Sequence, residues 1–334
     1  MSLRIGILGA AAIAPQAIIE PARLLGVTIQ AVAASHEAKA EAYARQHGIQ
    51  NVSPSYQALV EREDIDLIYN ALPPSLHGPW TLKALDAGKA VLCEKPFAMN
   101  ATEAAAMVAA AKARGLLLME AFHYRFHPFF IELERLLAEG VVGRVHTLRA
   151  NFEAQIPYRA DSLRHNRALG GGALMDLGCY PVHWLRTLMG SEPEVAQAQA
   201  ISNGQVDVAT QAKLAFTGGV TGYIGCAMGE HLKKGGDSHI SIEGELGLIE
   251  AINPISPQRH HLFRIHGAEG CRQYSIDARQ STFYYQLAHV KACLEDGRAP
   301  LTGGRDAIAN MAVIDQIKVL SSPPSPGAAI GKPH

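Results

Sequence analysis

Apolar and polar positions follow two different rhythms along this chain. Through residue 120, short apolar runs alternate with stretches of helical period. The runs are Arg4–Leu8, residues 27–34, residues 66–71, Ala90–Cys93 and residues 116–120. Between them lie a helix carrying Ile18, Ile19, Ala22 and Leu25, then Glu37–His47, residues 77–87 and residues 100–114. Gly48, Gly88 and Gly115 follow three of these helices as stops, and Asn100 with Glu103 three residues on forms a capping-box pattern. Alternating strands and helices of this kind predict βαβ units wound around a parallel sheet.

After residue 121 the rhythm changes. A helix over residues 127–138 precedes a strand over 144–152, a glycine cluster and another helix. From Glu194 onward short strands dominate, at residues 196–200, 207–216, 219–226, 239–243, 247–251, 262–265 and 273–275. Glycine-containing turns join them, which predicts a mostly antiparallel sheet. Lys233-Lys234 reads as part of a hairpin loop. Two helices, 283–294 and 305–320, precede a tail rich in Pro, Gly and Ser. The predicted organisation is a doubly wound α/β domain (1–122), an α+β domain on an open-faced sheet (123–320), and a mobile tail (321–334).

Composition narrows the class. The chain has 334 residues with 30 Lys plus Arg against 31 Asp plus Glu, a net charge of -1. That balance argues against a nucleic-acid or anionic-membrane surface. Apolar residues at 48% suffice for full cores, and no apolar run approaches a membrane span. Cys93, Cys179, Cys226, Cys271 and Cys293 are scattered and odd in number, and the first residues carry a strand pattern without a signal-peptide pattern. The expectation is a reduced, cytoplasmic protein with no zinc site.

The first strand runs into Gly9-Ala10-Ala11-Ala12-Ile13-Ala14. Against the dinucleotide fingerprint G-x-G-x-x-G/A, Gly9 fills the first place and Ala14 the third, while Ala11 stands where the second glycine belongs. An ordinary βα turn of small residues reads the same way, but the position after the first strand of a βαβ run is the one the fingerprint requires. The second strand ends Ala33-Ala34-Ser35-His36, with no acid before Glu37. A carboxylate there would accept a ribose 2′-hydroxyl and repel a 2′-phosphate. Its absence, with Ser35 and His36 as donors and Lys39 one turn on, points to NADP, with NAD possible. Ser35 and His36 also suit a simple helix cap.

Two further constellations carry chemistry. Cys93-Glu94-Lys95-Pro96 follows an apolar strand, at the carboxyl edge where open α/β sheets bind ligands, and reads either as a site or as a surface ion pair. Gly170-Gly171-Gly172 precedes Asp176, Tyr180 and His183, which at i, i+4 and i+7 share one helix face. An acid, a phenol and an imidazole on one stripe suit proton transfer, and a capped helix with a half-buried Tyr suits the same pattern. His123 and His127 have metal-like spacing, but no third ligand is evident.

Taken in order, several motifs resemble the Gfo/Idh/MocA oxidoreductases. They are the N-terminal turn, Glu94-Lys95-Pro96, Tyr124-Arg125-Phe126-His127-Pro128, the run GGGALMDLG followed by Cys179-Tyr180, and Glu243-Gly244-Glu245-Leu246-Gly247. The resemblance spans residues 3 to 320. The run through His183 is most similar to the branch of dimeric dihydrodiol dehydrogenase and NADP-dependent D-xylose dehydrogenase. Many inositol-dehydrogenase-like members carry His where Tyr180 stands and Asp where His183 stands, which points away from an inositol substrate.

The resemblance implies a Rossmann domain whose cofactor contacts fall on Gly9, Ala10, Ala11, Ile13, Ala14, Ser35, His36, Leu72, Pro73, His77, Glu94 and Lys95. It implies Tyr180 as acid/base assisted by Lys95, and Asp176, His183, Arg125 and Arg164 as substrate contacts. A free phenol titrates near about 10, so the Lys95 charge would be needed to make Tyr180 a base at neutral pH. A cis bond before Pro96 would turn Lys95 into the cleft. The expected reaction is hydride transfer between nicotinamide and a sugar, polyol or cyclic diol. The expected assembly is a homodimer or homotetramer through the C-terminal sheet, one apolar face of which would need a cover. The alternative is a non-catalytic, cofactor-sensing regulator on the same fold.

Overall fold

The computed structural model describes residues 2–232 and 236–322. The tail from residue 323 on, and Lys233 and Lys234 of the expected hairpin loop, lie outside the described residues.

In the N-terminal layer, β1 (Arg4–Leu8), β2 (Thr28–Ala33), β3 (Asn51–Val52), β4 (Leu67–Asn70), β5 (Ala90–Cys93) and β6 (Leu118–Glu120) form one parallel sheet. Its order is β3-β2-β1-β4-β5-β6. The helices between them are α1 (Glu20–Leu25), entered directly from a π-helical turn at Pro15–Ile19, then α2 (Glu37–His47), α3 (Tyr56–Val60), α4 (Pro74–Asp86) and α5 (Ala101–Arg114). The central strands are buried on both faces, which is why their sequences are continuous apolar runs. The short β3 and α3 are absent from the sequence reading, being too brief to show a period.

Register sets the site. Leu8 lies opposite Ala33 and Asn70, Asn70 opposite Cys93, and Cys93 opposite Glu120. Gly9, Ala34, Ala71, Glu94 and Ala121 therefore leave the sheet along one edge. Strand order reverses between β1 and β4, so a crevice opens at that edge.

The second sheet holds β7 (Val145–Ala154), β8 (Glu194–Ser202), β9 (Asp207–Ala215), β10 (Thr221–Met228), β11 (Asp237–Gly244), β12 (Gly247–Ile252), β13 (Leu262–Gly267) and β14 (Gly270–Tyr274). Its order is β14-β13-β12-β11-β7-β10-β9-β8, antiparallel throughout except for the parallel pair β7 and β10. With it go α6 (Pro128–Ala138), α7 (Cys179–Met189), α8 (Thr282–Asp296) and α9 (Arg305–Ser321).

One expectation about this sheet needs correcting. Its apolar face, with Leu148, Ala150, Leu214, Ile224 and Ile240, is already buried within the chain, where α7 lies across β7 and β10. The opposite face presents Arg149, Asn151, Gln199, Gln211, Lys213 and Tyr223, with the Arg149 guanidinium 4.3 Å from the Tyr223 ring centre. Strand alternation sends polar residues outward, so the apolar face of this sheet is covered by the chain itself.

The chain also crosses back over the boundary at residue 122. Phe283, Leu287 and Val290 of α8 share a core with Ile5, Ile18 and Ala22 of the first layer. Each fully buried aliphatic side chain there is worth about 1.5–3 kcal/mol. α9 packs on α5, and its Asp315 carboxylate accepts the Ala101 N–H at 2.8 Å. All five cysteines are free, and among the described residues no helix is long and apolar enough to cross a membrane.

Candidate active site

The first loop at the crevice is the turn after β1. Gly9 has φ +100°, and a Cβ there would meet the Ala71 carbonyl at 3.1 Å, so this place demands glycine. Ala10, Ala11, Ile13 and Ala14 all keep negative φ, and the alanine at the second fingerprint position is therefore unstrained. The Tyr43 hydroxyl braces the turn by donating to the Ala11 carbonyl at 3.0 Å. No side chain caps the helix that follows; Pro15 opens it, and the Ala14 N–H bonds the Ala11 carbonyl at 3.2 Å within the turn.

Ser35 and His36 stand exposed at the end of β2. His36 occupies the N-cap of α2, yet its side chain makes no capping bond, so the simple cap reading does not account for it. These features fit a dinucleotide with its pyrophosphate on the first turn and its ribose beside Ser35 and His36.

Leu72 and Pro73 leave β4 on the same edge. His77, 1% exposed, ties this loop to the next one. Its Nε2 lies 2.7 Å from the Leu72 carbonyl and its Nδ1 2.9 Å from the Pro96 carbonyl. Burial lowers the pKa of this ring to about 4, against the pull of the two carbonyls. Its place is therefore structural, between two crevice loops.

Glu94, Lys95 and Pro96 leave β5 with a cis bond between Lys95 and Pro96. Glu94 is buried and accepts the Tyr69 hydroxyl at 2.6 Å and the Lys95 N–H at 3.2 Å; burial raises its pKa. The Lys95 ammonium donates to the Asp176 backbone carbonyl at 2.7 Å and to Asp176 Oδ1 at 2.9 Å. Arg164 Nε donates to the other oxygen, Oδ2, at 2.6 Å. Burial alone would raise the Asp176 pKa, but the Lys95 and Arg164 charges overcome it and hold the carboxyl at about 2.

Tyr180 lies beneath this pair. Lys95 Nζ sits 5.2 Å from the centre of its ring, over the face, while the hydroxyl points to His123 Nε2 at 3.1 Å. Burial pushes the phenol pKa well above 10, and Cys179, Glu94 and Asp176 push the same way. The expected role of Lys95 changes accordingly. Its charge is shared with Asp176 and meets the ring face rather than the oxygen, and burial holds Tyr180 as a neutral phenol.

The predicted stripe of Asp176, Tyr180 and His183 divides. A π-helical turn at Leu174–Gly178 precedes α7 and sends Asp176 to Lys95. His183, expected at the substrate, faces the core at 1% exposure. Its Nδ1 meets the Tyr124 hydroxyl, its Nε2 lies 2.7 Å from Asp306 Oδ2, and its ring stacks on Phe122 at 4.1 Å. Arg125 likewise turns away from the crevice, pairing with Glu134 at 2.6 Å and lying over the Phe130 ring. The resemblance implied a substrate contact for both, and half-buried carboxylates from α6 and α9 hold them instead.

The three glycines do admit close approach, but to the chain itself. A Cβ at Gly170 would meet Pro74 Cβ at 2.6 Å, and one at Gly171 the Leu163 carbonyl at 2.5 Å. At Gly172, φ is +117° and a Cβ would strike the Asp207 carboxylate, which accepts the Leu174 N–H at 2.7 Å. Gly172→Ala is expected to cost about 2 kcal/mol, seen as a lowered urea midpoint, because it strains the backbone and displaces that cap.

His123, whose spacing to His127 offered no third metal ligand, is the residue at this site that sequence reasoning missed. Its partner Tyr180 lies 57 residues away, and no local pattern connects them. The neighbouring His127 turns elsewhere, accepting the Phe129 N–H at 3.1 Å. Among the described residues no group of three His, Cys, Asp or Glu could hold a metal ion.

Comparison with known proteins agrees with this architecture. Residues 3–122 match the model of the oxidoreductase family with an NAD-binding Rossmann fold, and residues 130–250 match the GFO/IDH/MocA C-terminal domain. The chain is 34% identical to a dTDP-3,4-didehydro-2,6-dideoxy-alpha-D-glucose 3-reductase of Streptomyces violaceoruber, over 96% of this chain and 94% of that one. It is 32% identical to a trans-1,2-dihydrobenzene-1,2-diol dehydrogenase of Bos taurus, over 80% and 81% of the two chains. The crystal structure of KijD10, a 3-ketoreductase from Actinomadura kijaniata in complex with NADP and TDP-benzene, superposes with a TM-score of 0.89 at 27% identity, covering 96% of this chain and 98% of that one. With both domain models in order and relatives aligned from end to end, the chain belongs to the Gfo/Idh/MocA oxidoreductase family.

Proposed function

We propose that this protein is an NADP-dependent oxidoreductase that interconverts a hydroxyl and a carbonyl on a sugar, polyol or cyclic diol. One observation carries the reading. Lys95, from the dinucleotide edge, and Asp176 and Tyr180, from the second domain, converge on one point of the crevice across 81 residues of sequence. The regulator alternative needs no such convergence of an acid/base group with a cation. The named relatives, a deoxysugar 3-reductase and a cyclic diol dehydrogenase, support the substrate class, and the NADP of the KijD10 complex supports the cofactor.

In this reading Gly9, Ala10, Ala11, Ile13 and Ala14 cradle the pyrophosphate, and Ser35 and His36 receive the 2′-phosphate. Leu72, Pro73, Glu94 and Lys95 border the nicotinamide end, with His77 holding their loops together. When bound, the reduced nicotinamide supplies the hydride. Tyr180 gives its proton to the substrate oxygen as that oxygen gains charge, assisted at longer range by the Lys95 ammonium over its ring face. Asp176 and Arg164 fix the Lys95 ammonium and border the substrate hydroxyls. Assembly into a homodimer or homotetramer would join polar faces of the C-terminal sheet.

Fluorescence titration of the purified protein with NADPH and with NADH tests the cofactor half. NADPH should bind at least about tenfold tighter, since a charge-assisted bond to the 2′-phosphate is worth about 1.5–3 kcal/mol. His36→Asp should abolish the difference by repelling that phosphate. Tighter binding of NADH would overturn the assignment of Ser35 and His36, and binding of neither would overturn the enzyme reading.

A further inference from the structure

The Tyr180 hydroxyl is the outer member of a buried chain of polar groups. His123 Nε2 lies 3.1 Å from Tyr180 Oη, and His123 Nδ1 lies 2.7 Å from Thr282 Oγ1. Three separate elements supply these groups: α7, the turn after β6, and the first residue of α8. Thr282 is 0%, Tyr180 4% and His123 5% exposed, so the chain is buried with its Tyr180 end outermost. Phe283 packs on the imidazole at 4.1 Å, and among the described residues no carboxylate hydrogen-bonds it.

Burial lowers the His123 pKa to about 3, with Lys95 and His127 adding to the effect, so the ring carries one N–H at working pH. Both flanking hydroxyls can donate or accept, and the chain closes in either of two senses. In one, Tyr180 donates to Nε2 and Nδ1–H donates to Thr282. In the other, Thr282 donates to Nδ1 and Nε2–H donates to the Tyr180 oxygen. Only the second leaves the Tyr180 proton free for a substrate. We propose that His123, set in that tautomer by Thr282, is a positioning residue that aims the Tyr180 proton outward and donates Nε2–H to the phenolate formed when the proton leaves.

The inference rests on Tyr180 being the acid/base group. In the reductive direction the substrate carbon gains a hydride from the reduced nicotinamide. The Tyr180 O–H bond breaks, a substrate O–H bond forms, and the phenolate later recovers its proton from water. His123 stays neutral throughout and keeps its N–H.

The surroundings of Tyr180 make such a donor necessary. Glu94, Asp176, Cys179 and Tyr124 all disfavour a phenolate, while Lys95 reaches only the ring face and is itself bound to Asp176. The rings of Phe122, Phe152 and Trp184 complete the enclosure. Among the described residues His123 is the one polar side chain in hydrogen-bond contact with Tyr180 Oη.

Imidazole ¹⁵N NMR on the full-length protein tests the tautomer without any substrate, the His123 signals being assigned by their loss in His123→Gln. The expected result is the Nε2–H form, uncharged from pH 5 to 9, with mixed tautomers in Thr282→Val. An Nδ1–H form in the wild-type protein would overturn the proposal. The second arm is the pH profile of NADP-linked oxidation, using the fastest substrate from a panel of aldoses and cyclic 1,2-diols. His123→Phe should move the rising limb upward by about one to two pH units, the loss of one hydrogen bond to a charged oxygen. His123→Gln, whose amide N–H reaches the same oxygen, should restore most of it, which separates donation from folding. If Tyr180→Phe retains turnover, the acid/base reading itself fails. If Tyr180→Phe is inactive and the His123→Phe profile stays put, only the His123 step fails.

Discussion

Replacing Tyr180 with Phe should lower turnover at least about a hundredfold while leaving NADPH affinity within about twofold of wild type. The substitution removes one oxygen. The ring keeps its packing against Phe122 at 5.3 Å and Phe152 at 5.5 Å, and Lys95 keeps its place over the ring, held by Asp176. What is lost is the proton that the substrate oxygen must receive, and a positioned acid or base contributes about 10²–10⁴ in rate. His123 Nε2 would lose its partner, at a cost of about 1–3 kcal/mol in stability. Stopped-flow turnover at saturating cofactor and substrate, beside the NADPH titration, checks both halves. Turnover unchanged from wild type would remove Tyr180 from the reaction.

Acid should destabilise the protein from about pH 6.5 downward, with the buried Glu94 and Glu120 carboxyls, whose pKa values burial raises, offsetting part of the loss. Burial lowers the pKa of His77 to about 4, of His123 to about 3 and of His127 to about 4, from an ordinary value of 6.5. The unfolded chain therefore binds protons that the native state refuses. Stability contributed by these three rings is complete above pH 6.5 and is lost as pH falls toward their native values, by about 1.4 kcal/mol per pH unit for each ring. Asp176 and Asp306, both held at about 2 against 3.8, extend the loss below pH 4. Burial opposes ionisation of both carboxyls, and neighbouring charges override it: Lys95 and Arg164 for Asp176, His183 and Arg186 for Asp306. Urea midpoints at pH 7.5, 6 and 5 should drop steeply across this range, and His123→Gln should show a shallower fall. A midpoint that is flat from pH 7.5 to 5 would contradict the neutral, buried state of these histidines.

Much of the first layer could be read along the chain because its signals are local. Arg4–Leu8, Glu37–His47 and Ala90–Cys93 have the observed bounds. Gly48 and Gly115 end their helices at φ +68° and +63°, and the Asn100 side chain accepts the Glu103 N–H at 2.9 Å, as the capping pattern required. Each signal is decided within a turn or two of backbone. The carboxyl edge of the sheet follows from the same patterns, and with it the common location of Gly9, Ser35, Leu72 and Glu94. The motif order carried the family as well.

The tertiary structure decided which side chains meet. Asp176, Tyr180 and His183 are neighbours in sequence with three fates: one binds Lys95, one meets His123, and one is enclosed by Tyr124 and Asp306. No periodicity distinguishes them, because the partners come from the loop after β5, the turn after β6 and the start of α9. Thr282 reaches His123 across 159 residues, and α8 completes a layer whose last strand ended long before. By itself the sequence determined the elements, their order and the edge where a nucleotide turn must lie, since those depend on backbone geometry and nearest-neighbour chemistry. Only the packing of the second sheet and its helices against the first layer set which side chains meet Tyr180 and Lys95 and how they are charged, because burial and contact between distant segments exist only once the chain has closed on itself.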